Sequence, residues 1–204
     1  MRYHQYQMDL SNINREKRRK LELDFLSKAE FKKVELASMN EVGDFQSELE
    51  NNFAGVEIIK LKIKAYNDTL WGSMGMQQFI NEFLNNSNLK EAIKEIFPFE
   101  NVYELKNEVR VGGNLFNLLG DLCGIIKQGG CYGSGSNLKN EKILQITKNF
   151  IDQNLKDGYK MYHYIKIYEP WTKWFGHDPI YSLTYLLISL HRDEMLMICI
   201  VDDD

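Results

Sequence analysis

Hydrophobic and polar positions along the chain fall into two kinds of repeat. From 57 to 66, Ile59, Leu61, Ile63 and Ala65 alternate with Lys60, Lys62 and Lys64. That period of two predicts a strand with one apolar and one cationic face. The lysine face reads as solvent-exposed, or as the mark of an outer strand guarded against pairing. A shorter strand is expected at 31–37 and another at 102–111. The last 46 residues predict a three-stranded meander. In its first strand, from Tyr159, one face carries Met161, His163, Ile165 and Ile167, and the other carries Tyr162, Tyr164, Lys166 and Tyr168. A second strand covers 180–190. The third, 195–201, is nearly all apolar, which places it centrally or under cover on both faces.

Helical spacing occupies the remainder. Residues 11–30 carry Leu21, Phe25 and Leu26 behind a basic cluster of Arg15, Lys17, Arg18, Arg19 and Lys20, with Ser11 or Asn12 able to cap the start. The basic cluster reads as a solvated face, or alternatively as a contact for an anionic partner. Met76, Phe79, Ile80 and Phe83 mark a helix over 75–85. Asn88 and Glu91 resemble a capping box for 88–97, which Pro98 ends. Leu115, Leu118, Leu119, Leu122, Ile125 and Ile126 predict a central core helix. Ile143, Ile146, Phe150 and Ile151 predict another over 138–155, with Gly158 placed to cap it. Strands at both ends with helices between indicate an α+β fold. Its antiparallel sheet includes the C-terminal meander and packs against four to five helices. No linker or repeat divides the chain, so 1–204 reads as one domain, with 1–30 as a peripheral N-terminal helix.

Composition narrows the function. The chain has 204 residues and is 44% hydrophobic and 26% charged, enough for a core without disulfides. Its net charge of −4 argues against nucleic acid as the main partner, because phosphate neutralisation needs concentrated Lys and Arg. The three cysteines, Cys123, Cys131 and Cys199, form no framework spacing. They predict reduced thiols in a cytoplasmic setting. No apolar run reaches the ~20 residues of a membrane helix, and no targeting segment is evident at the start. Abundant Lys, Asn and Ile suggest a bacterial source with an AT-rich genome.

Candidate chemistry gathers in two places. Gly129 to Ser136 is a glycine-rich loop with the glycine spacing of a phosphate loop, but Ser136 and Asn137 stand where Lys and Ser/Thr are required. It reads as a flexible connection between helices. The segment from Glu169 to Pro179 carries Trp171, Trp174, Phe175, His177 and Asp178, and the chain closes on Asp202, Asp203 and Asp204. Exposed aromatics beside carboxylates suit recognition, because Trp and Tyr dominate binding hot spots and charge steers association; the alternatives are a loop that folds its own Trp side chains against the sheet and a solvated acidic terminus.

The leading expectation is therefore a non-catalytic accessory protein that binds another protein, one with a basic surface, in the manner of a bacterial toxin-neutralising (immunity-type) protein. Tyr164, Tyr168, Trp171 and Trp174 would supply contacts, and Asp178 with Asp202, Asp203 and Asp204 would supply steering. No cofactor or metal is called for. The alternative is a small-ligand binder or hydrolase-like enzyme built on the Gly129–Ser136 loop with Cys131, His177 and Asp178.

Overall fold

The computed structural model describes residues 14–36, 40–64, 76–97, 105, 109–130, 135–155, 162–176, 179–189 and 193–202. Within them lie six strands: β1 (Glu30–Val34), β2 (Gly55–Lys64), β3 (Val109–Gly113), β4 (Tyr162–Ile167), β5 (Tyr181–Ser189) and β6 (Glu194–Asp202). They form one sheet in the order β1-β2-β6-β5-β4-β3, and every pairing is antiparallel. The fold is α+β, and β4, β5 and β6 make the expected meander. The last strand, β6, inserts beside β2, so elements far apart in sequence share one ladder.

Six helices rather than four to five accompany the sheet among the described residues: α1 (Arg15–Lys28), α2 (Asn40–Glu50), α3 (Met76–Leu84), α4 (Ser87–Ile93), α5 (Leu115–Gln128) and α6 (Asn140–Asn154). They cover both faces. One core joins Leu26, Phe79, Ile80, Phe83, Leu89 and Ile93 to Ile59, Leu61, Leu186, Met197 and Cys199. The other joins Phe45, Leu49, Leu118, Leu122, Ile143 and Phe150 to Ile58, Tyr164, Tyr185, Leu187 and Ile198. Alternation along β5 and β6 thus feeds two layers, and β6 is buried along its whole length.

The helix with no counterpart in the periodicity is α2. Among its described side chains, Phe45 and Leu49 are the apolar buried ones, four residues apart. Packing supplies what propensity lacks: the Phe45 ring stacks on Phe150 with centroids 4.0 Å apart and planes at 14°.

The caps also differ from expectation. Asn14 caps α1, accepting from the Lys17 amide at 2.9 Å; residues 11–13 lie outside the described set. Asn86, not Asn88, caps α4, accepting from the amides of Asn88 and Leu89 at 2.9 and 3.0 Å. Asn88 instead donates to the Ala29 carbonyl, tying α4 to the start of β1. Helix α6 ends on Leu155, ahead of Gly158, which lies outside the described residues. At α5 a reciprocal cap forms, with Asn114 accepting from Phe116 and Asn117 while the Asn117 side chain accepts from the Asn114 amide.

The lysine face of β2 is not uniformly solvated. Lys62 and Lys64 are exposed, but the Lys60 side chain is only 11% exposed. Its Nζ donates to the Asn154 carbonyl and lies 3.9 Å from the Glu194 carboxylate, which also accepts from the Tyr162 hydroxyl. Nor is β2 an edge strand: it lies between β1 and β6. A charged residue on an alternating strand looks exposed until helix α6 closes over its end.

Burial of β6 on both faces makes it the most sensitive element to truncation. Ile198→Ala is expected to cost about 2–5 kcal/mol, through lost apolar transfer plus the cavity left behind. Leu144→Ala, on the exposed side of α6, should stay within about 0.5 kcal/mol of wild type. Urea denaturation of the two variants checks both values.

Candidate functional site

The segment after β4 folds its aromatic rings inward. Trp171 is 0% exposed, and its Nε1 donates to Thr184 Oγ1 at 2.9 Å. Phe97 and Phe175 pack on its ring with centroids 5.0 and 5.7 Å away. Thr172 caps the short 3-10 turn Lys173–Phe175, accepting from the Trp174 amide at 3.2 Å. Trp174 is half-buried, edge-on to Phe97 and Phe175. It also lies over Gly55, where an added Cβ would come within 3.4 Å of the indole ring. The expected exposed platform at Trp171 is therefore a core anchor. An indole N–H with a buried hydroxyl to donate to can be fully enclosed at little cost. Of this segment's tryptophans only Trp174 reaches the surface. His177 and Asp178 lie outside the described residues.

The acidic terminus is likewise not a solvated patch at its first residue. Asp202 is 6% exposed, the last residue of β6, and packs against Gly130. Asp203 and Asp204 lie outside the described residues. The loop that Gly130 opens is pinned at both ends. The Gly130 amide donates to the Asn52 carbonyl at 3.2 Å and the Ser136 amide to the Ile126 carbonyl at 2.9 Å. Gly129 and Gly135 have φ of 73° and 69° and press together, so that a Cβ on Gly129 would lie 2.7 Å from the Gly135 amide. The glycines are required by this closure between α5 and α6. Cys131, at the centre of the loop, lies outside the described residues, as do 132–134.

Chemistry converges instead where α5 crosses the β3–β4–β5 end of the sheet. Asp121 is the one acidic residue of α5. Its carboxylate accepts from the Tyr164 hydroxyl at 2.6 Å and pairs with Lys166 Nζ at 2.5 Å. Lys166 also lies over the Tyr164 ring, 5.6 Å from its centroid, and Tyr164 and Tyr185 pack with centroids 5.8 Å apart. Next to Lys166 in the ladder is Arg110, whose guanidinium stands 5.1 Å from the centre of the Tyr168 ring. Tyr164 and Tyr185 are buried; Asp121, Lys166 and Tyr168 are half-buried; Arg110 is exposed. Of the tyrosines expected to make contacts, Tyr168 is half-buried against the core, whereas Tyr164 is fully buried.

The electrostatics of this cluster are set by burial. Burial raises the Tyr164 phenol far above its usual value, and its hydrogen bond to Asp121 adds to the shift. Burial does the same for Tyr185, with a further push from Tyr181. Both are neutral fixtures at any ordinary pH. Burial also raises the thiols of Cys199 and Cys123, which leaves them protonated and poorly nucleophilic. Among the described residues, no group of three or more His, Cys, Asp or Glu side chains is placed to hold a metal ion.

Alternation along β4 set Tyr164, Lys166 and Tyr168 on one face, but nothing in the local spacing singled out Arg110 or Asp121. A signal was present in the isolated Asp121 of a leucine-rich helix, facing a strand of alternating Lys and Tyr. No protein-family model matches the chain, and no curated protein matches it.

Two measurements follow from these environments. The unfolded chain releases tyrosine protons near pH 10, while Tyr164 and Tyr185 hold theirs in the folded state. Their contribution to stability is complete below about pH 10 and falls as pH rises past it, by about 1.4 kcal/mol per pH unit for each phenol. Tyr164→Phe should therefore flatten the alkaline arm of the stability–pH curve, read by denaturant melts from pH 9 to 11. Separately, Cys199 should resist thiol-specific labelling in the native protein and react fully once it is unfolded, as followed by mass spectrometry.

Proposed function

We propose that this chain is a protein-binding accessory protein without catalytic activity, and that its contact surface is the outer rim of the Arg110–Tyr168–Lys166 cluster. The observation that carries this reading is the clamped Tyr168. Its ring is half-buried and held against a guanidinium, on a floor of neutral phenols that the Asp121 carboxylate locks in place. A rigid, part-exposed aromatic with a polar edge loses little entropy on binding, which is what a hot spot requires. A toxin-neutralising role is the specific form we favour, since such a protein works by occupying a partner's surface and needs no reacting groups of its own.

A basic partner, expected from the acidic terminus, has lost one of its supports with the burial of Asp202. Trp171 and Tyr164 act under this reading as the scaffold beneath the surface. Truncating Trp171 is a poor probe of binding, because a core Trp→Ala change costs about 3–5 kcal/mol in stability.

The test is affinity capture from the native host's lysate, comparing wild type with a Tyr168→Ala variant shown to be folded by circular dichroism. A stoichiometric protein is expected on the wild type and should be lost from the variant, the truncation weakening binding by about 1–2 kcal/mol. Failure of the wild type to retain any protein would overturn the proposal.

A further inference from the structure

The β3–β4 register sets Arg110 directly opposite Lys166. Like charges at paired positions of an antiparallel ladder repel and are normally avoided. Among the described residues the carboxylate paired with these cations is Asp121, and it is already engaged by Lys166 at 2.5 Å and by the Tyr164 hydroxyl at 2.6 Å. Arg110 is exposed and stacks on Tyr168 instead of reaching that carboxylate. The stacking holds its guanidinium in place with the hydrogen-bonding edge free to meet a planar anion, a geometry that lysine does not reproduce.

From this juxtaposition we infer that Arg110, Lys166 and Tyr168 receive a carboxylate from an acidic segment of the partner protein. The inference rests on the protein-binding reading above and gives the partner's contact a sign opposite to the one that the terminal aspartates suggest. Charge complementarity selects the occupant: an added anion relieves the Arg110–Lys166 repulsion and meets a preorganised fork at a site still open to solvent. A cationic segment would worsen that repulsion. A purely apolar one would strip water from both cations without replacing it.

The probe is an N-acetylated, C-amidated hexaglutamate peptide, titrated into the isotope-labelled full chain and followed by NMR, with hexalysine and inorganic phosphate in parallel. Hexaglutamate is expected to shift the signals of Arg110, Lys166 and Tyr168 and to bind more weakly as salt rises. Arg110→Gln should weaken it roughly tenfold, the scale of one charge-assisted contact, and Arg110→Lys should restore only part of that loss. Arg110 is exposed on an edge strand, so these variants keep the fold. Absence of shifts at these residues, equal affinity in Arg110→Gln, or hexalysine binding at the same signals would each overturn the inference. So would saturation by phosphate with no response to hexaglutamate. Capture from lysate separates the two claims: a partner held equally by wild type and Arg110→Gln leaves the protein-binding reading standing and removes the acidic contact.

Discussion

Burial of β5 and β6 on both faces is the constraint from which the architecture follows. From Ser182 to Ser189 and from Glu194 to Asp202 every residue is buried. An antiparallel sheet normally keeps one wet face; this one cannot, because both sides of its central pair are apolar. Two helical layers are therefore required. Helices α1, α3 and α4 cover one face with the inward-turned Trp171 and Phe175, and α2, α5 and α6 cover the other. Even the weakly patterned α2 is drawn into place by the need to shield the Phe150 side of the core.

Full coverage sets terms for every polar group inside it. Thr184 accepts from Trp171 and donates to the Cys199 sulfur. Ser189 pairs with Asp193 at the β5–β6 turn. Glu194 is met by Tyr162 and Lys60. Each is a buried polar side chain on a mostly apolar strand, or at its turn, and each has a named partner, as buried donors and acceptors usually do. These pairings also hold register, because a one-residue slip would separate them and turn the apolar set to the wrong layer.

Candidate function sits where this coverage thins. Beyond α5, toward the β3 edge, Tyr168 and Lys166 are half-buried and Arg110 is open. The layers immobilise the floor of that region, through Tyr164, Tyr185 and Asp121, and leave its rim available. The same burial that raises the phenols and thiols removes them from reactive use.

Period-two and helical spacing by themselves determined the strands from β1 to β6, five of the six helices, the antiparallel meander and the two-sided burial of β6, because those features depend on which side of a local repeat is apolar. They also located Tyr164 and Tyr168 on one strand face. What lay beyond them depends on distant residues. Whether Trp171 faces solvent is decided by Thr184 and Phe97; whether Asp202 is solvated, by Gly130 closing against it; whether Lys60 is exposed, by the end of α6. The pairing of Arg110 with Lys166, and of both with Asp121 on another element, is a matter of strand register and helix placement. Local spacing records which residues alternate. Only the packed structure decides which charges meet, because electrostatic partners are chosen in space after the hydrophobic layers have closed.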